Sequence, residues 1–238
     1  MTTIYTALET GSGRGIGKET TIMLSKKGLN LIICSRTQKE IEFTVKEIKS
    51  FGGNGQIIGR KCDVSVYSQV DTLVNEALEV FGRIDVLINN AGITYVKKLV
   101  DTTEEQWDKT LDINLKGTFL LCKAIVPHMI ENNCGIIINV SSGAGKVGFE
   151  DLSAYGASKF GMMGLTQSLA HEVANFNIRV MTICPGQVAT KMQQDVDASY
   201  YELNKHKMLH PKNVAEKITE MIYNENKYKN GISVDLPS

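Results

Sequence analysis

The sequence predicts an α/β fold, a doubly wound parallel sheet of about seven strands with helices on both faces. Three observations carry this. Short, largely apolar runs such as residues 86–89 and 135–140 read as strands buried on both sides. Segments between such runs carry apolar residues at helical spacing. Strand and helix alternate with short connections, and right-handed crossovers then place helices on both faces of the sheet.

The elements follow in order. Strand one is expected at 4–8, then a glycine-rich turn and a helix at 16–27 with Ile16, Thr20, Met23 and Leu24 on one face. Strand two at 30–35 leads to a helix at 38–51, and strand three at 56–61 to a helix at 66–81. Strand four at 86–89 leads to helices at 103–112 and 114–131, and strand five at 135–140 to a helix at 153–175. Strand six at 179–184 is followed by a polar stretch, a helix at 211–224 and a strand at 232–235. The Asp and Pro of that last run mark it as a brief edge strand. No repeat or low-complexity linker divides the 238 residues, so one domain spanning 1–238 is expected.

Composition narrows the function. Lys and Arg number 26, as do Asp and Glu, which argues against nucleic acid or a membrane surface as the main partner. No stretch approaches the ~20 apolar residues of a membrane helix, and a first strand at residue 4 leaves no room for a signal peptide. Five cysteines (34, 62, 122, 134 and 184) form no C-x-x-C and read as reduced thiols, which points to the cytoplasm. The four histidines have no ligand-spaced acidic partner, and His206 and His210 lie in a Lys-rich stretch, so no metal site is expected.

Four motifs carry chemistry; in the expected sheet the first three, like the later Pro185-Gly186 after strand six, fall at the carboxyl ends of strands, where a doubly wound sheet binds its ligand. Thr10-Gly11-Ser12-Gly13-Arg14-Gly15-Ile16-Gly17 joins strand one to a helix. Glycines let backbone approach a pyrophosphate, and a helix N-terminus offers free N–H groups and a positive dipole end. Asn89-Asn90-Ala91-Gly92 follows strand four: the Asn side chains can brace neighbouring strand ends, and Gly92 lets the chain pass close to a ligand. Strand five ends in Ser141-Ser142, which could equally cap a helix or make a turn. Tyr155 and Lys159 stand one helical turn apart on one face. A phenol titrates near ~10, and a neighbouring ammonium lowers that value, which would suit Tyr155 to proton transfer with an alcohol oxygen.

With Asn114 and the later Pro185-Gly186, these motifs occur in the order and rough spacing of the short-chain dehydrogenase/reductase family, and the chain resembles its compact single-domain branch over nearly its whole length. The resemblance implies a Rossmann-type fold, a nicotinamide cofactor and hydride transfer between cofactor and a carbonyl or alcohol. It implies Tyr155 as general acid/base, Lys159 on the nicotinamide ribose and tuning Tyr155, Ser142 polarising the substrate oxygen, and Asn114 supporting a relay water. It also places Asp63 and Val64 at the adenine (Asp63 could instead cap the next helix), Val188 by the carboxamide and Thr190 by the pyrophosphate. The bare chemistry agrees, since Ser142 and Tyr155 could both donate to an oxygen gaining charge.

Cofactor choice follows from charge. Strand two ends Cys34-Ser35-Arg36-Thr37, with no carboxylate before Glu40. Arg36, with Arg14, could bind a 2′-phosphate through charge-assisted hydrogen bonds, which favours NADP(H) over NAD(H). By resemblance, residues 190–210 form a substrate lid. Apolar residues spread around helices 114–131 and 153–175, which the family pairs across a two-fold, so a homodimer or homotetramer is expected. Glu9, at the end of strand one, is expected to face solvent or meet a basic partner. The expected function is an NADP(H)-dependent oxidoreductase acting on a small-molecule carbonyl or secondary alcohol, resembling 3-oxoacyl-acyl-carrier-protein reductases though without their glycine-rich C-terminus. The alternatives are a sugar or polyol dehydrogenase and a non-catalytic nicotinamide-binding regulator.

Overall fold

The computed structural model describes residues 6–52 and 55–238, so Ile4 and Tyr5 of the expected first strand lie outside it. Among the described residues one parallel sheet is formed by β1 (Thr6–Thr10), β2 (Asn30–Ser35), β3 (Ile57–Lys61), β4 (Val86–Asn89), β5 (Gly135–Val140), β6 (Ile178–Pro185) and β7 (Ser233–Leu236). The order is β3-β2-β1-β4-β5-β6-β7, with every pairing parallel and β7 on an edge. This is the Rossmann-type arrangement that the strand–helix alternation predicts. The order reverses between β1 and β4, which opens a crevice at the carboxyl ends of those strands.

Side chains alternate across the sheet. Leu31 and Ile33 of β2 enter a core covered by α1 (Gly15–Lys26), α2 (Gln38–Ser50) and α9 (Pro211–Tyr223). Ile32 and Cys34 enter the opposite core, under α3 (Tyr67–Phe81), α5 (Gly117–Glu131) and α6 (Ser153–Glu172). Between α4 (Glu104–Leu111) and α5 the backbone widens into a π-helical turn, Asp112–Lys116, where the sequence suggests two abutting helices. Such turns recur at functional sites, and this one carries Asn114.

The polar stretch after β6 folds as α7 (Lys191–Val196), α8 (Ala198–Asn204) and a 3₁₀ turn at Lys205–Lys207. Its two ends meet. Val188 bridges Leu209, the Leu209 N–H donates to the Gln187 carbonyl at 2.9 Å, and the Ala189 N–H donates to the Leu209 carbonyl at 2.8 Å.

Glu9 departs from expectation. It is fully buried, and its polar partner is the Thr21 hydroxyl, which donates to Oε2 at 2.7 Å; no base pairs with it among the described residues. Its Oε1 has no hydrogen-bond partner. β1 sits at the sheet centre with all five residues buried, so position 9 has no route to solvent. Burial pushes this carboxyl well above the usual carboxylate range, with the Thr21 and Thr20 hydroxyls acting the other way.

Candidate active site

The glycine loop is set by close approach. Gly11 has φ +70°, and a Cβ there would lie 2.9 Å from Asn90 Nδ2. A Cβ on Gly17 would lie 2.5 Å from both Asn90 Nδ2 and the Gly11 carbonyl oxygen. The start of α1 therefore packs directly against the turn, and its first residues, Gly15 and Ile16, line the crevice. A hydrogen-bonded lock joins the loop to β4. The Thr10 hydroxyl accepts from the N–H groups of Asn90 and Ala91 at 3.1 Å each, while Asn90 Nδ2 donates to the carbonyls of Thr10 at 3.0 Å and Gly11 at 3.3 Å. Asn89 Nδ2 donates to Asn139 Oδ1 at 2.8 Å, bracing β4 against β5 as the sequence suggests.

Tyr155 and Lys159 lie on α6, and Ser142 at the end of β5. Lys159 is buried; its Nζ donates to the Val140 carbonyl at 2.8 Å and stands 5.6 Å from the centre of the Tyr155 ring. Burial lowers its ammonium to about 8. The Tyr155 phenol departs from expectation. Burial pushes it above its ordinary value, and the opposing influence is a hydrogen bond with the Ser142 hydroxyl rather than the charge of Lys159. The lysine ammonium lies over the ring face while donating to the Val140 carbonyl of β5. Ser142 Oγ accepts from the Ala144 N–H at 3.2 Å, so it caps the following turn at the cleft wall it shares with Tyr155.

Asn114 is fully buried and its side chain is occupied. Nδ2 donates to the Ile93 carbonyl at 2.9 Å and to Ser158 Oγ at 3.0 Å, and Oδ1 accepts from the Ile93 N–H at 2.8 Å. It fixes the segment after Gly92 to α6 and has no spare N–H for a water.

These elements enclose one cleft of about 380 Å³, within the range for small-molecule sites. It runs from Gly13, Ser35 and Arg36 at one end to Ser142, Tyr155 and Lys159 at the other, with Pro185, Gly186, Val188 and Thr190 along one side. Gly15, Ile16, Val64, Asn90, Ala91 and Gly92 also reach it. Thr10, Ser12, Gly17, Asp63 and Asn114 do not line it; all but Asp63 support residues that do, Ser12 through its N–H to the Cys34 carbonyl at 3.1 Å. Asp63 caps the turn into α3, its Oδ1 accepting from the Ser65 N–H at 3.0 Å and hydroxyl at 2.6 Å. Arg14 pairs with Glu40 at 3.2 Å, so a carboxylate shares the end expected to be basic, while Arg36 stands exposed. The motifs give no sign of Ile93, Thr94, Val96 or Leu152, which also line the cleft with Gln187 and Met192 of the stretch after β6. Their one available signal is position: Ile93, Thr94 and Val96 follow Gly92 closely, and Leu152 immediately precedes the helix of Tyr155 and Lys159.

A family model described as short chain dehydrogenase matches residues 5–200. The chain belongs to the short-chain dehydrogenase family. A 3-oxoacyl-[acyl-carrier-protein] reductase FabG of Thermotoga maritima is 38% identical over 187 residues, covering 79% of this chain and 75% of that protein. Among solved structures, levodione reductase superposes with a TM-score of 0.91 at 27% identity, covering 98% of this chain and 95% of that one. A variant of actinorhodin polyketide ketoreductase, solved with NADPH, has a TM-score of 0.90 at 29% identity, covering 100% and 98%. This short-chain dehydrogenase is thus an oxidoreductase acting between alcohols and carbonyls. Its cleft fits a nicotinamide dinucleotide: a glycine-lined loop opens at a helix N-terminus, and a buried ammonium lies at the other end. Among the described residues no helix is long and apolar enough to cross a membrane, and no cluster of His, Cys, Asp or Glu could hold a metal ion.

Proposed function

We propose that the protein is an NADP(H)-dependent carbonyl reductase whose substrates are of the 3-oxoacyl type, with Ser142 and Tyr155 holding the reacting oxygen. The observation that carries this reading is the convergence of Ser142, Tyr155 and buried Lys159 on one end of a cleft whose other end is lined by the glycine loop. A nicotinamide bound there supplies the hydride. As negative charge grows on the carbonyl oxygen, the two hydroxyls donate to it and Tyr155 delivers the proton. A phenol held above its ordinary value keeps that proton at neutral pH, the form reduction needs. Lys159 places positive charge beneath the phenol and reaches for the ribose. Asn114 acts as a positioning residue through Ile93 and Ser158.

Gly11, Ser12, Gly13, Gly15, Ile16 and Gly17 form the pyrophosphate turn, locked by Thr10 to Asn90 and Ala91, with Gly92 next along the cleft wall. Pro185, Gly186 and Val188 flank the nicotinamide, Thr190 beside Gly15 the pyrophosphate, Val64 the adenine, and Ser35 with Arg36 the 2′-phosphate. The exposed Arg36 favours NADP(H), while the engagement of Arg14 by Glu40 reduces its share of that task. Ile93, Val96, Leu152 and Met192 make the substrate end largely apolar, which suits an acyl-chain ketone better than a sugar. We further infer one catalytic domain with a lid at 190–210, a cytoplasmic enzyme and a homodimer or homotetramer; a monomer by light scattering would remove the last.

The test is oxidation of NADPH and NADH against 3-oxoacyl thioesters, diketones, aldehydes and keto-sugars, with Tyr155→Phe in parallel. NADPH turnover lost by roughly 100-fold or more in the variant is expected. Cofactor binding without turnover on any carbonyl, or on alcohols with NADP⁺ or NAD⁺, would favour a nicotinamide-binding regulator.

A further inference from the structure

At the cofactor end of the cleft an acid stands among the expected bases. Glu40 lies in the first turn of α2 and lines the cleft with Gly13, Arg14, Ser35 and Arg36. Its place is fixed by the next turn of the helix. The buried Thr44 hydroxyl lies 3.1 Å from the Glu40 carbonyl oxygen and 3.2 Å from that of Ser12, which pins the start of α2 against the glycine loop. A Cβ on Gly13 would lie 2.8 Å from Glu40 Cβ, 2.9 Å from Glu40 Oε2 and 3.1 Å from Ser35 Oγ. The carboxylate, the serine hydroxyl and the loop backbone therefore crowd one point, where only a residue without a side chain fits.

Charge at this point is mixed. Glu40 Oε1 accepts from Arg14 Nη1 at 3.2 Å, and with 32% of the Glu40 and 52% of the Arg14 side chain exposed, a ligand in the cleft can reach both. Glu40 Oε2, the oxygen nearer Gly13, has no hydrogen-bond partner among the described residues. A 2′-phosphate here meets Arg36 and Arg14 but also stands beside a carboxylate, and like charges brought together oppose binding. A ribose with a free 2′-hydroxyl meets no such repulsion, because the hydroxyl is a donor and Oε2 an acceptor.

We propose that Glu40 is a determinant of cofactor choice: its carboxylate, held at the ribose end of the cleft, tempers the preference for NADPH so that NADH is accepted alongside it. Towards NADH, Glu40 Oε2 serves as acceptor for the 2′-hydroxyl. Towards NADPH, Arg14 joins Arg36 on the 2′-phosphate only by giving up Glu40, and the lost pair offsets part of the gain. The two cofactors then differ by less than two unopposed arginines would make them differ. In the sequence Glu40 stands four residues beyond Arg36, past the end of strand two; the first turn of α2 brings it back to the loop. The inference rests on the dinucleotide reading above and adds to it the residue that sets the balance between the two nucleotides.

The test titrates the full chain with NADPH and NADH by nucleotide fluorescence. Adenosine 2′,5′-bisphosphate and 5′-AMP, which differ by the 2′-phosphate alone, serve as competitors, and thermal melts confirm folding. Wild type should bind NADPH and NADH within roughly tenfold of each other. Glu40→Gln should tighten NADPH and weaken NADH, widening their ratio by roughly tenfold or more, with the bisphosphate gaining on the monophosphate in step. Glu40→Ala, which removes the contact outright, should shift the ratio the same way. Arg14→Met should cost NADPH more affinity in the Glu40→Gln background, where the guanidinium is released, than in wild type. An unchanged ratio in both Glu40 variants, or an equal gain for both nucleotides, would overturn the proposal and leave the dinucleotide reading standing. A folded protein that binds neither nucleotide would refute that reading, and this inference with it.

Discussion

Glu9 and Lys159 are both ionisable and both buried, one beneath the glycine loop and the other beneath Ser142 and Tyr155. Lys159 donates to a backbone carbonyl and borders an open cleft, so its charge has somewhere to act. Glu9 has a threonine hydroxyl on one oxygen and nothing on the other, and it borders no cleft. Burial shifts both towards the neutral form, which moves the acid up and the base down. The two therefore bend stability with pH in opposite senses. The folded state holds the Glu9 proton to higher pH than the unfolded chain, so stability from this group is full below about 4.5 and is lost as pH rises towards the folded value. Lys159 releases its proton earlier in the folded state, so its burden on stability is present below about 8 and is relieved as pH climbs from there towards 10.5. Location separates a buried charge that can serve chemistry from one that only weakens the fold.

Lys159→Met gives the sharpest contrast. It should lower kcat/KM by roughly 100-fold or more and raise Tm at pH 7, because a buried ammonium is removed; loss of turnover with unchanged or reduced Tm would break the contrast on the lysine side. Glu9→Gln should keep turnover and stabilise the protein by about 1–3 kcal/mol at pH 8, with the gain fading towards pH 5. A pH-independent gain in thermal melts would show that Glu9 is not the titrating group. The reduction rate should decline as pH passes about 8 and Lys159 loses its charge, and Glu9→Gln should leave that limb in place. A limb that moves with the Glu9 substitution would link the two regions. The smallest effect is expected from Arg14→Ala, whose exposed pair with Glu40 should contribute under ~1 kcal/mol by denaturant titration.

The central strands are legible in the sequence because burial on both faces writes a local pattern, as in β4 and β5. The cleft's main residues are legible because the motifs end those strands. The π-helical turn at Asn114 is not, since its residues have ordinary helical spacing and only the tertiary bonds of Asn114 to Ile93 and Ser158 distinguish them. The phenol's rise is hidden too: Tyr-x-x-x-Lys spacing fixes which face both residues occupy, not where the ammonium points. The surroundings of Glu9 escape a local reading because its partner Thr21 is twelve residues away on α1. The short lid helices lack any amphipathic stripe.

The meeting of Val188 and Leu209 closes the excursion between them on itself. Chain leaves the scaffold and returns to it at one place, so the part of the excursion beyond Thr190, which packs against Gly15 of the glycine loop, can be exchanged as a cassette. Lids of other lengths and compositions could be grafted between Thr190 and Leu209 with the sheet and glycine loop untouched, which would let substrate range diversify independently of foldability.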